Sequence, residues 1–316
     1  MPGSANAKRG DKRVDRAGPV GEGELVRMRQ GKDTGLRHVQ VGPHSVTVSI
    51  QERTSDAPPL LMLHGVGLEH QRWGLTRELM NRTTVAFNVR TEQLGQGRPS
   101  MRAFAALVAK LLVELDMPRV DVVGLSWGGM AAQQLVHDHP AQVRRMVLVS
   151  TSPGFMGVPA RPAAMKMLLS TRRSADQLPA LIRGLYGGDF VDNPALAQEL
   201  GLIRTVDEAS YKGQLRALLG WTSVPWLPSL RKETLILHAE NDPVIPYGNA
   251  VLLRLLIPGA ILKKIPGGGH LFVLTRPETC AQAIIEFLDR PDEVMRLRPT
   301  RTSDSAFRDR PRRRDI

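Results

Sequence analysis

Short apolar runs rich in β-branched residues alternate along this chain with longer segments whose apolar positions recur every three or four residues. The short runs predict strands at residues 37–41, 45–51, 59–63, 83–88, 120–125, 145–150, 234–238 and 260–265. The longer pattern predicts helices at 101–115, 130–137 and 280–288. Strands separated by helices are the signature of an α/β fold built on a mostly parallel, doubly wound sheet. One stretch breaks the rhythm. Between residues 154 and 227, the segments 162–169, 175–186 and 209–219 read as helices with no convincing strand among them. That stretch is expected to form a helical cap inserted into a core of residues 36–153 and 228–290.

The run ending at Leu125 delivers the most informative local motif, Gly124-Leu125-Ser126-Trp127-Gly128. A serine on a sharp strand-to-helix turn has crowded backbone neighbours, and glycines two residues before and after it let the chains pass. Ser126 is therefore the candidate nucleophile. Such a serine needs a base to take its proton and a carboxylate to fix the tautomer of that base. The strand predicted at 234–238 runs into Glu240-Asn241-Asp242-Pro243, which leaves an acid at its carboxyl end. Asp242 is the candidate, with Glu240 as its competitor. The strand at 260–265 ends in Pro266-Gly267-Gly268-Gly269-His270, whose glycines allow a histidine loop to fold back over the serine. His270 is the candidate base. His137 and His139 fall at a helix end, and His38, His44 and His238 fall in or beside strands, where structural roles are expected.

Acyl transfer also needs two preorganised N–H groups for a tetrahedral oxyanion. One is expected from Trp127, directly after the serine. The other is expected from His64-Gly65-Val66-Gly67 after an earlier strand, with Val66 preferred and Gly67 next. His64 is read as a hydrogen-bonder that fixes this loop.

Composition adds limits. With 316 residues, 42% of them hydrophobic, the chain can bury a large core. Its ends differ from that core: residues 1–35 lack apolar periodicity, and from Arg290 onward nine arginines face five acids. Both ends, 1–35 and 291–316, are expected to be disordered. The net charge of +12 suits an acidic surface such as nucleic acid, a membrane or a granule coat, and equally suits solvated tails. No nucleic-acid-binding motif accompanies it. Cys280 is the only cysteine, which excludes an intramolecular disulfide and a cysteine cluster for zinc. The chain has no export-signal core and no apolar run of about 18 residues, so a cytoplasmic protein without a transmembrane segment is expected.

Several segments extend beyond the triad motifs: GLSWGGMAAQQLVHDHP from Gly124, LYGGDFVDNPAL from Leu185, LLGWTSVPWL from Leu218, NDPVIP from Asn241 and GGHLFVLTRPE from Gly268. In these segments the chain resembles the intracellular poly(3-hydroxyalkanoate) depolymerases of the α/β-hydrolase superfamily that act on medium-chain-length polyesters. The chain order serine, aspartate, histidine is the one expected of that superfamily. The resemblance implies an α/β-hydrolase fold with a helical cap, Ser126, Asp242 and His270 as triad, and Trp127 with Val66 as oxyanion donors. It implies no metal or organic cofactor, and an aliphatic polyester as substrate, with a storage-granule surface as partner. Polymerising synthases of this fold use cysteine at the elbow, so Ser126 favours degradation. Asn88-Val89-Arg90-Thr91-Glu92-Gln93-Leu94-Gly95-Gln96-Gly97 replaces the usual Asp-x-Pro/Arg-Gly-x-Gly pattern, and the basic ends are not expected of the family.

The leading expectation is a serine carboxylic-ester hydrolase acting on hydroxyalkanoate polymer or oligomer. A small-molecule esterase, lactonase or C–C bond hydrolase with the same triad is the alternative, and a non-catalytic binding protein of this fold is a third reading. The cap's apolar content, including Met165, Met167, Leu168, Leu169, Trp221 and Trp226, suits either aliphatic substrate or cap core. Oligomeric state is not legible.

Overall fold

The computed structural model describes residues 35–95, 97–170, 178–199 and 207–292. The ends expected to be disordered thus lie outside the described residues, apart from Gly35, Pro291 and Asp292.

Eight strands form one sheet: β1 (Leu36–Val41), β2 (His44–Gln51), β3 (Leu60–Leu63), β4 (Thr84–Phe87), β5 (Val120–Leu125), β6 (Val143–Val149), β7 (Thr234–Ala239) and β8 (Ile261–Ile265). Their order is β1-β2-β4-β3-β5-β6-β7-β8. β1 pairs antiparallel with β2, and β2 with β4; every later pairing is parallel. The short β1–β2 connection permits an antiparallel hairpin, whereas parallel neighbours need crossovers, which the helices supply. All residues of β3, β4, β5 and β7 are buried. Such largely apolar runs, interrupted only by Thr84, Asp121, Gly124, Thr234 and His238, are what strands covered on both faces require.

Alternation within these strands feeds two cores. Leu61, Leu63 and Val122 join the layer containing the helices Met101–Glu114 and Trp127–Asp138. Leu60, Met62, Val123 and Leu125 face the opposite layer, which contains the helix Pro277–Leu288. Each fully buried side chain of this size stabilises the fold by about 1.5–3 kcal/mol. The edge strand β8 exposes Lys263 and Lys264, charges that discourage pairing with another sheet.

Between β6 and β7 the described residues carry the helices Pro162–Leu169, Leu178–Leu181, Asp189–Asp192, Ala195–Glu199 and Glu208–Ala217, with a π-turn at Ile182–Tyr186. Leu181, Ile182, Leu185, Tyr186 and Phe190 share one core with β5 and β7, so the insertion is seated on the sheet's carboxyl edge. Of the apolar residues named for the cap, Trp221 and Trp226 pack on the core, whereas Met165 and Leu169 are 41% and 60% exposed. No described helix is long and apolar enough to cross a membrane.

Candidate active site

The chain passes from β3 to β4 on one side and then to β5 on the other, which opens a crevice at the carboxyl ends of β3 and β5. Reversal points of this kind are where α/β sheets bind ligands. Ser126 stands there, directly after β5, and is 6% exposed.

Ser126 has φ 54° and ψ −114°, a conformation costly for a residue with a side chain. Four hydrogen bonds hold it. Its N–H donates to Val149 O at 2.8 Å, and its carbonyl accepts from Gly129 N at 2.9 Å, Met130 N at 3.2 Å and Thr151 Oγ1 at 2.7 Å. The two flanking glycines are sterically required. A Cβ on Gly124 would stand 2.3 Å from Gly128 O, and one on Gly128 would stand 2.2 Å from Leu63 O. The helix therefore begins at Trp127, three residues before the pattern of good helix formers suggests.

Asp242 follows β7 and His270 follows β8, as expected. The His270 Nδ1–H donates to Asp242 Oδ2 at 2.7 Å. Asp242 Oδ1 accepts the N–H groups of Val244 and Ile245, each at 2.9 Å, so the buried carboxylate is satisfied on both oxygens. Glu240 instead pairs with Lys264 at 3.0 Å on the surface. The structure thus brings Asp242 and His270 together, while no hydrogen bond joins the His270 ring to Ser126 Oγ among the described residues. Such links are often loose in unliganded enzymes and tighten around the reacting group.

The loop after β3 distinguishes its two candidate donors. Gly67 N–H is taken by Gln214 Oε1 at 2.9 Å. The N–H groups of Val66 and Trp127 donate to no described residue. His64 Nδ1–H donates to Gly65 O at 2.9 Å, which fits a loop-fixing role. Burial pushes the His64 ring down to about 4, which keeps it neutral near pH 7. The divergent loop after β4 is anchored by Asn88, whose Oδ1 accepts from His70 N at 2.7 Å and His70 Nδ1 at 2.9 Å.

Sequence reasoning missed three contributors and gave a fourth, His238, a structural role in its strand. The carbonyl of Tyr186 accepts the His270 N–H at 2.7 Å, and Thr151 holds the carbonyl of Ser126. Gln214 reaches the loop after β3 from the insertion. His238 donates from Nε2 to Ile245 O at 2.8 Å while standing 3.6 Å from Asp242 Oδ2. Burial lowers the pKa of His238, so a neutral ring braces the Asp242 loop. Backbone acceptors leave no side-chain signature, and Gln214 sits in no motif. Among the described residues no cluster of three or more His, Cys, Asp or Glu could hold a metal ion. Cys280 is buried on its helix, where burial raises its pKa and leaves an inert thiol.

The model of the alpha/beta hydrolase family matches residues 60–283, a span running from β3 past the His270 loop. The chain belongs to the alpha/beta hydrolase family. It is 35% identical over 275 residues to a poly(3-hydroxyalkanoate) depolymerase of Ectopseudomonas oleovorans, covering 84% of this chain and 96% of that one. It is 30% identical over 258 residues to a pimeloyl-[acyl-carrier protein] methyl ester esterase of Aromatoleum aromaticum, covering 72% and 96%. Among solved structures, a hydrolase from Pseudomonas aeruginosa PA01 superposes with a TM-score of 0.67 at 18% identity, covering 81% and 99%, a likeness of fold.

Proposed function

We propose that this hydrolase cleaves carboxylic esters through Ser126, His270 and Asp242, and that its substrate is an intracellular poly(3-hydroxyalkanoate). The observation that carries the reading is the 2.7 Å bond from His270 Nδ1 to Asp242, set beside a serine held at a strained elbow. Ser126 Oγ attacks the ester carbonyl carbon while His270 Nε2 takes the hydroxyl proton. The N–H groups of Val66 and Trp127 receive the oxyanion, each worth roughly 3 kcal/mol of barrier. His270 returns its proton to the departing alcohol oxygen, which leaves an acyl-enzyme. Water then attacks that ester with His270 as base, and Ser126 departs with its proton restored.

In this reading residues 154–227 form a cap over a core of 36–153 and 228–290. The polyester assignment rests on the 35% identity to the depolymerase, which spans nearly all of that relative. The methyl ester esterase relative supports a second reading, a hydrolase of small esters. Clearance of an amorphous medium-chain polyhydroxyalkanoate suspension, run beside hydrolysis of soluble p-nitrophenyl octanoate, separates the two. Clearance by wild type and none by Ser126→Ala is expected. Hydrolysis of the soluble ester alone would leave the serine and remove the polymer.

A further inference from the structure

Gln214 lies on the insertion helix Glu208–Ala217 and is fully buried. Its Oε1 accepts Gly67 N–H at 2.9 Å, and its Nε2 donates to Val89 O at 3.2 Å. Its own carbonyl accepts the indole N–H of Trp127 at 2.9 Å. A single residue thereby reaches the loops after β3 and β4 and the first residue after the elbow. Two of these three segments carry the backbone N–H groups left undonated beside Ser126.

The contact to Gly67 fixes a conformation. Leu68 N donates to Gly65 O at 3.2 Å, closing a four-residue turn with Gly67 at its third position and φ +68°. A positive φ there marks a type II turn, which differs from type I by a flip of the peptide between the second and third residues. Gly67 N–H belongs to that peptide. The side-chain oxygen of Gln214 therefore favours one of the two forms, and with it the setting of Val66, the second residue of the turn. Three residues earlier on the same helix, the Tyr211 ring covers Gly67 so closely that a Cβ there would stand 2.6 Å from it.

We infer that Gln214 is a positioning residue for the oxyanion hole, holding the Gly65–Leu68 turn and the Trp127 ring so that the Val66 and Trp127 N–H groups converge on one oxygen. The inference rests on Ser126 being the nucleophile. It assigns the insertion a part in assembling the catalytic site, beyond covering it.

The test compares a soluble aryl ester with its thionoester, whose developing sulfur anion is a poor fit for an oxyanion hole, in wild type, Gln214→Met, Gln214→Glu and Ser126→Ala. Gln214→Met keeps the shape and loses both side-chain bonds. It is expected to lower kcat for the ester about tenfold or more, a fraction of the effect of deleting a donor, with KM within about twofold. The ester-to-thionoester rate ratio is expected to fall by a similar factor. Gln214→Glu retains the acceptor for Gly67 and is expected to keep that ratio within about threefold of wild type. Gln214→Asn, too short to reach, takes the place of Gln214→Met if the latter does not fold. Equal loss of both rates with an unchanged ratio would mean that Gln214 only stabilises the fold, and overturns the inference. Wild-type activity in Ser126→Ala would instead show that the nucleophile is wrong.

Discussion

Asp242 and Glu240 lie two residues apart, yet only one can orient a histidine. Asp242 is buried under three N–H donors, whereas Glu240 is paired with Lys264 at the surface. Asp242→Asn is expected to lower kcat about 10³–10⁴-fold by disturbing the tautomer of His270, while Glu240→Gln stays within about twofold of wild type. Steady-state ester hydrolysis checks both. His64 gives a pH signature: burial takes its pKa from 6.5 to about 4. The unfolded chain binds more protons between those values, so the contribution is complete above the unfolded pKa and is lost as pH falls toward the folded one. The loss amounts to about 3 kcal/mol. Urea midpoints at about pH 7.5 and about pH 4.5 are expected to converge in His64→Leu relative to wild type; equal acid sensitivity would contradict this. At this scale the elbow at Ser126 and the Asp242–His270 pair were legible as candidates because the chemistry proposed for them demands side chains in marked turns. Thr151 and Tyr186 were not, because they act on or through backbone atoms.

Among elements, the turn after Tyr186 ties the segment between β6 and β7 to the loop of the candidate base His270. Gly187 and Gly188 have φ values of +64° and +50°, and a Cβ on Gly188 would stand 2.1 Å from Gly269 N. Asp189 beside them accepts from Thr275 Oγ1 and from Arg276 Nε and Nη2, which clamps the segment following His270. Gly188→Ala is expected to push the His270 loop away, with a loss of about 1–3 kcal/mol in stability and a larger proportional loss in kcat than in KM. Urea unfolding with ester kinetics reads both, and unchanged kcat would refute the coupling. The strands were legible to within two residues at each end, because fully buried runs carry a strong signal. The helix Gly248–Leu256 was missed, since it opens on a glycine after a proline-rich turn, and Phe272–Thr275 is a single turn. The helix after the elbow starts early because the close approach of Gly128 to the end of β3 and of Gly129 to Thr151 overrides the low helix propensity of both.

Across the whole molecule, the loops carrying Ser126, Asp242 and His270 gather at the carboxyl edge of the sheet while a charge cluster closes the other. Asp121, at the start of β5, meets Arg82 at 3.0 Å and Arg144 at 2.7 Å, and neither Asp121 nor Arg82 is exposed. Arg145 donates to the carbonyls of Leu288, Arg290 and Pro291, fastening the end of the last helix. Removing one partner strands a buried charge, so Asp121→Ala is expected to cost about 3–5 kcal/mol in urea unfolding. The kcat of the folded fraction should not change, because the substitution lies at the far end of the strand from Ser126. The doubly wound architecture was legible from the order of strands and helices alone. The charge cluster was not, since its arginines come from distant segments that only the fold brings together.

The most direct test of the central claim is covalent. The full-length protein is treated with a fluorophosphonate ester, and the adduct is located by intact-mass and peptide mass spectrometry. A single adduct on Ser126, formed far more slowly in His270→Gln and absent in Ser126→Ala, is the expected result. An unlabelled wild type, or an adduct on any other residue, would contradict the assignment of Ser126 as the nucleophile.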